Sequence, residues 1–325
     1  MTSLKINKIK SPIEKELTIF ESQFKKELLS GTPLLNRVTN YIIKKKGKQI
    51  RPILVFLSSR LIGQINKSTY IAASLIEILH TATLIHDDVV DNSNKRRGFF
   101  SINALWKNKI AVLVGDYLLS KGLIMSVDNN EFELLSVVTK TVKEMSEGEL
   151  LQIEKSRLMN HNEEDYLKII EQKTAVLFAA CCKSGAISVK GNIKQIDALY
   201  NFGLNLGLAF QIKDDLFDYQ KQQKLNKPTG IDIKEKKLTL PLIYALSKSN
   251  FITRRKVKSL ISKSQQNNNV NKIIDFVERK GGLNYATKKM HEFANNAHKI
   301  LDRFEDGEAK ESLYQLTNFI TTRNH

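Results

Sequence analysis

Residues 80–91 read His80-Thr81-Ala82-Thr83-Leu84-Ile85-His86-Asp87-Asp88-Val89-Val90-Asp91, and residues 210–218 read Phe210-Gln211-Ile212-Lys213-Asp214-Asp215-Leu216-Phe217-Asp218. Each closes an apolar run with the same D-D-x-x-D spacing. The apolar residues leading into both recur every three or four positions, the period of a helix with a buried side. Side chains at i and i+4 share a helix face, so each motif clusters carboxylates where an apolar helix stops. At about 100° per residue, Asp87 and Asp91 fall within about 20° of His80, with Thr83 nearby. Gly207, Gln211, Asp214 and Asp218 form a similar stripe. A polar stripe on an otherwise apolar helix points to an internal cavity. Helix-end surface charge is the weaker account, because carboxylates at a helix C-terminus oppose its dipole. Two such clusters facing each other would repel unless hard divalent cations sat between them. Mg²⁺ suits this role, bridging a carboxylate or two to substrate phosphates.

The 325 residues are 42% hydrophobic and 26% charged, with 5 Pro and no Gly/Ser-rich linker. Helices are predicted at about 12–30, 33–46, 51–64, 68–91, 101–127, 131–158, 163–189, 193–220, 238–249, 252–264, 268–280, 282–304 and 308–322. Period-two alternation is lacking, so strands are not expected, and one all-α domain over 1–325 is. The polar, Lys-rich segment 221–237 reads as a mobile loop beside the second motif. No uncharged apolar run approaches the ~18 residues that span a bilayer. Met1-Thr2-Ser3-Leu4-Lys5 lacks the apolar core of a signal peptide. Cys181 and Cys182, adjacent in an apolar helix, read as packing thiols in a reducing cytoplasm.

The 51 Lys+Arg against 34 Asp+Glu, a net +17, imply an anionic partner. Aromatics are not interleaved with the basic runs, so nucleic acid is not expected. Arg96-Arg97 follow Asp91 closely, and the guanidinium fork matches phosphate oxygens bidentately. Gly47-Lys48-Gln49-Ile50-Arg51 precedes a helix whose N-terminal amides could add donors to an anion; a solvated basic turn is the alternative. Lys173-Thr174 interrupts an apolar helix, where a lysine either serves a site or snorkels to the surface.

Together these residues resemble the trans-polyprenyl diphosphate synthases of the all-helical isoprenoid synthase superfamily. The resemblance runs through G-K-x-x-R-P at 47–52, the first aspartate motif, R-R-G at 96–98, G-D-Y-L at 115–118, K-T-A at 173–175 and the second motif. K-P-x-G-x-D at 227–232 and K-x-T-L-P at 237–241 complete it. It implies a single-domain antiparallel helical bundle with a deep central cavity, usually a homodimer. Isopentenyl diphosphate and an allylic diphosphate are the implied substrates, and three Mg²⁺ ions the implied cofactors. Membrane contact, at most peripheral, would serve product release. Asp87, Asp91 and Asp214 look like direct metal ligands; Asp88, Asp215 and Asp218 look like water-mediated or supporting ones. Arg96, Lys173, Gln211 and Lys227 look like contacts to the allylic diphosphate, with Lys237 helping to close the site. Gly47, Lys48, Arg51, His80 and Arg97 look like the isopentenyl diphosphate site. The resemblance further implies that oxygens on Thr174 and Gln211 would stabilise a carbocation and that the released diphosphate would take the proton.

In such enzymes a bulky side chain four or five residues before the first Asp blocks chain growth. Here those positions are Thr83 and Ala82, both small, so a long product, hexaprenyl to octaprenyl, is expected from a farnesyl or geranylgeranyl primer. Leu135, Val138 and Val142 are the candidate cavity floor. A geranylgeranyl or farnesyl synthase is the nearest alternative. A terpene cyclase is disfavoured by the second aspartate motif and the Lys48/Arg51/Arg97 set. A non-catalytic subunit is disfavoured because both motifs are intact. Asn226, Lys236 and the single Gly47 depart from the family pattern, the first two in the loop beside the site.

Overall fold

The computed structural model describes residues 2–44, 49–96, 99–159, 162–219, 230–264 and 267–323. The chain runs through α1 (Thr2–Lys10), a 3₁₀ turn (Ser11–Ile13), α2 (Glu14–Glu27), α3 (Pro33–Lys44), α4 (Ile50–Ile62) and α5 (Lys67–Val90). After a short hairpin come α6 (Ile102–Asp128), α7 (Phe132–Leu158) and α8 (Glu163–Ile170). A π-helical segment (Glu171–Ala175) leads into α9 (Val176–Ser188) and α10 (Ile193–Phe217). The rest is α11 (Ile231–Lys234), α12 (Leu240–Ser247), α13 (Phe251–Ser262), α14 (Asn267–Arg279), α15 (Gly282–Leu301) and α16 (Glu308–Thr322).

Local chemistry sets several starts. Asn66, Asn162 and Asn192 each open a helix with a capping box: the Asn side chain accepts from the amide three residues on, and that residue's side chain accepts in return. A cap of this kind contributes about 1 kcal/mol. Three sequence expectations change. Helix begins at Thr2 rather than near residue 12, because Ile6 and Ile9 are buried in the core. Strands do occur: Lys95-Arg96 (β1) and Phe99-Phe100 (β2) pair antiparallel, too short to leave a period-two signature. The expected 163–189 helix is broken by the π segment.

Among the described residues, three apolar clusters hold the bundle. The first joins α1, α4, α5, α7, α9, α10 and α16 around the fully buried Phe56 and Phe202. In it lie Cys181 and Cys182, free and buried as expected of packing thiols, with Cys182 pushed by burial to about 12. A second cluster joins α10 to α12, α13, α14 and α15. The third fills the α5–α6 seam with Ile78, Ala82, Ile85, Val114 and Leu118. By length and mean hydropathy α5 and α6 are long and apolar enough to cross a membrane, although neither holds an uncharged run of 18 residues; the most apolar window of α5 is 67% buried within the fold, as in the core helix of a bundle, and that of α6 39%.

Candidate active site

The two aspartate motifs end α5 and α10 as expected, and their carboxylates sit in different settings. Asp88 is 4% exposed, Asp87 half-buried and Asp91 exposed at the helix cap. The Asp88 carbonyl accepts from the Ser93 amide (2.9 Å) and Asn103 Nδ2 (3.1 Å), which fixes the end of α5. In the second motif Asp215 is buried and accepts from the Tyr166 hydroxyl (2.7 Å) and Gln211 Nε2 (2.8 Å). Asp218 accepts from the amides of Ile231 (2.8 Å) and Asp232 (3.0 Å), so it anchors the start of α11. Asp214 pairs with Arg323, just past α16.

Thr174 Oγ1 donates to Gln211 Oε1 at 2.8 Å, which extends a chain from Thr174 through Gln211 and Asp215 to Tyr166. The π segment presents Lys173 and Thr174 toward α7 and α10. A Cβ at Gly207 would lie 2.5 Å from the Ala175 Cα, and one at Gly148 would lie 2.7 Å from the Gln172 Cβ. Both neighbouring helices therefore need glycine where they pass the wider π turn. Such bulges are frequent at functional sites.

These groups line a cavity of about 120 Å³ that contains Lys173, Thr174, Gln211, Asp215, Asp232 and Lys237 together with Tyr166 and Gln152. Lys173 Nζ is held by Glu149 and by Gln152 Oε1, the latter at 3.0 Å. Lys237 Nζ bonds Glu235 at 2.7 Å. Burial opposes the Lys237 charge, but that bond and the charges of Glu235, Asp232 and Asp91 outweigh it and hold its pKa above the usual lysine value. Lys237 thus feels the first motif through Asp91, and Asp232, whose amide donates to Asp218 of the second. Of segment 221–237, expected as a mobile loop, residues 221–229 lie outside the described residues, and the remainder is built around α11, with Ile233 fully buried.

Burial and neighbouring acids disfavour the charged form of several carboxyls here. Burial and the nearby Asp232 push Asp215 well up, although Tyr166 and Gln211 oppose this. Burial also raises Asp218 despite its backbone bonds. Asp232 is raised to about 7, by burial first and then by the Asp218 charge, with Lys237 and Lys173 pulling the other way. No cluster of three or more His, Cys, Asp or Glu forms a ready metal cage among the described residues. Crowded carboxylates without a closed cage fit Mg²⁺, which keeps waters and takes phosphate oxygens as ligands.

Other predicted residues sit apart or beyond view. Gly47, Lys48, Arg97 and Lys227 lie outside the described residues, and Arg96 is described only as part of β1. Arg51 forms a 3.7 Å ion pair with Glu77 of α5. His80 is buried, and its carbonyl accepts from Thr83 Oγ1 at 3.0 Å. Ala82 is wholly buried in the α5–α6 seam, so its smallness serves helix packing there; Thr83 is half-buried. Val138 is buried in the first cluster and Val142 packs against it, while Leu135 is half-buried. Sequence reasoning missed Tyr166, Glu149, Gln152, Asp232 and Arg323. Only Asp232 carried a signal, as the last residue of K-P-x-G-x-D.

Comparison with known proteins supplies the context. The Polyprenyl synthetase family model matches residues 32–277. A short chain isoprenyl diphosphate synthase of Methanothermobacter thermautotrophicus is 34% identical, over 90% of this chain and 91% of its own. A decaprenyl diphosphate synthase from Rhodobacter capsulatus superposes with TM-score 0.92 at 31% identity, over 97% of this chain and 98% of that one. A polyprenyl synthase from Caulobacter crescentus, complexed with calcium and isoprenyl diphosphate, superposes with TM-score 0.90 at 31% identity, over 98% of each chain. The chain, with its helical cavity and paired aspartate motifs, belongs to the polyprenyl synthetase family of prenyltransferases.

Proposed function

We propose that this prenyltransferase, a single domain over residues 1–325, elongates a farnesyl or geranylgeranyl diphosphate primer with isopentenyl diphosphate to an all-trans product of hexaprenyl to octaprenyl length. The observation that carries the site assignment is the cavity joining Lys173, Thr174, Gln211, Asp215 and Lys237. Asp87, Asp91 and Asp214 would hold Mg²⁺, three ions in all, with Asp88, Asp215 and Asp218 in support. The calcium and isoprenyl diphosphate of the Caulobacter crescentus relative support a divalent cation with diphosphate at such a site. When bound, Mg²⁺ neutralises charge that develops on the departing diphosphate.

This chain's residues do the rest. Lys173 and Lys237, with Arg96 and Lys227, bind the allylic diphosphate as positive groups that offset charge on the leaving oxygen. In the described state Lys173 is held by Glu149, so binding the diphosphate exchanges one anionic partner for another. Arg51 and His80, with Gly47, Lys48 and Arg97, receive isopentenyl diphosphate. The hydroxyl of Thr174 and the amide oxygen of Gln211, 2.8 Å apart, turn lone-pair density toward the allylic cation. Ile169, Ile170 and Leu238 line the cavity and exclude the water that would quench the cation as an alcohol.

Thr83 carries the chain-length reading, being small and on the Asp87 face of α5. The similarity to a short-chain synthase favours the second reading, a geranylgeranyl or farnesyl diphosphate synthase. The exposed apolar residues of α6, Leu113, Leu123, Ile124 and Val127, support a homodimer formed on that helix. A cytoplasmic location fits the two free, buried cysteines. Chromatography of the product made from labelled isopentenyl diphosphate tests the proposal. A hexaprenyl to octaprenyl product is expected, and one ending at farnesyl refutes the small-residue argument.

A further inference from the structure

The +17 charge is unevenly spread. From Lys236 to Ile274 the sequence holds nine Lys or Arg and no Asp or Glu. In the middle of this stretch lies α13, and its two sides differ. Val257 and Ile261 are buried in the core cluster shared with Ile233 of α11. On the opposite side Ile252, Arg255 and Lys256 are exposed and lie within about 60° of Ile252 on the helical wheel, and Lys263, the residue that caps the helix C-terminus, is exposed as well. Phe251 and Ile252 open the helix at 76% and 77% exposure. They are held out there by the Asn250 cap, whose side chain accepts from the Thr253 amide at 2.9 Å. Arg254 is committed elsewhere, donating to the carbonyls of Leu246 (2.9 Å) and Ser247 (3.0 Å) at the end of α12. Among the described residues, Arg255, Lys256, Lys258 and Lys263 make no ion pair.

Two adjacent large apolar side chains beside unpaired basic ones are the pattern of an interfacial helix, apolar tip in the acyl boundary and cations among headgroups. We propose that α13 docks this enzyme on an anionic lipid bilayer through Phe251, Ile252, Arg255, Lys256 and Lys263. The exposed Phe-Ile pair decides for lipid over nucleic acid, since phosphate-backbone binding uses the cations alone. The surface stands on its own exposure and charge, independently of the product-length reading.

Co-sedimentation of the full chain with phosphatidylcholine vesicles, with and without phosphatidylglycerol, tests this, with duplex and single-stranded DNA as the competing ligand. Binding that requires phosphatidylglycerol and weakens with salt is expected. The triple charge reversal Arg255→Glu/Lys256→Glu/Lys263→Glu should weaken it at least roughly a hundredfold, given about fivefold per basic residue at such a surface. Phe251→Ser/Ile252→Ser should weaken it several-fold while leaving the salt dependence in place. Thermal melting and prenyl transfer in vesicle-free buffer should match wild type in both variants. Vesicle binding unchanged by either variant, equal binding to neutral vesicles, or binding to DNA alone overturns the proposal.

Discussion

The guanidinium of Arg323 pairs with the carboxylate of Asp214, 109 residues earlier in the chain. It also lies over the rings of Phe210 (4.2 Å) and Phe217 (5.5 Å). Arg323, at the C-terminal cap of α16, thus restrains a proposed metal ligand. Partners of ligating groups are typically worth 10- to 100-fold in metal affinity or activity. Arg323→Ala is expected to raise the Mg²⁺ concentration for half-maximal prenyl transfer by about tenfold. Arg323→Lys should recover little of this, because an ammonium cannot form the same planar stack and fork. An unchanged Mg²⁺ titration for Arg323→Ala would show that the pair does not position Asp214.

Asp232 makes metal-free stability depend on pH. Its carboxyl is raised from 3.8 to about 7, so between these values the folded state keeps a proton that the unfolded chain releases. Stability from this group therefore falls as pH rises from about 4 to about 7, and is level above that. Asp232→Asn removes the penalty. Metal-free Asp232→Asn should be more stable than wild type at pH 8, by on the order of 4 kcal/mol, and about equally stable at pH 4. Calorimetric melts at both values decide it; equal melting at pH 8 would contradict the assigned burial.

Tyr166→Phe leaves buried Asp215 with Gln211 as its remaining hydrogen-bond donor among those described. Losing one partner of a buried acceptor costs about 1–3 kcal/mol. Denaturant unfolding should show that loss. If Asp215 positions Gln211 and Thr174, kcat falls with it while the affinity for isopentenyl diphosphate is preserved. A loss of stability with kcat intact would make the chain structural only.

Thr83 stands one helical turn before Asp87 on the same face. Thr83→Phe is expected to shorten the product by several isoprene units, read by chromatography. Ala82→Phe differs: it would force a ring into the closed α5–α6 seam and destabilise by about 1–3 kcal/mol. An unshortened Thr83→Phe product would locate the length control elsewhere.

The sequence showed the two motif helices because their polar stripes break an apolar pattern, and the capping asparagines mark two starts at 163 and 193. Lys173 and Thr174 stood out for the same reason. Their π turn did not, since it depends on Gly148 and Gly207, each more than 20 residues away in sequence. Tyr166 and Arg323 were invisible because their partners lie 49 and 109 residues distant. A role for Asp232 follows from burial among other acids, which a local pattern does not encode. Ala82 shows the opposite case: its small size was legible, but only packing reveals that it faces α6.

The most direct test measures incorporation of radiolabelled isopentenyl diphosphate with an allylic primer and Mg²⁺, in wild type and in Asp87→Ala. Asp87 is half-buried at the end of α5, so its truncation should leave the melting temperature nearly unchanged. Wild type is expected to incorporate label only with Mg²⁺, and Asp87→Ala to lose about a thousandfold or more of the rate, the order of losing a main electrostatic stabiliser. Incorporation by Asp87→Ala at the wild-type rate would contradict the account of the paired aspartate motifs as one diphosphate-activating site.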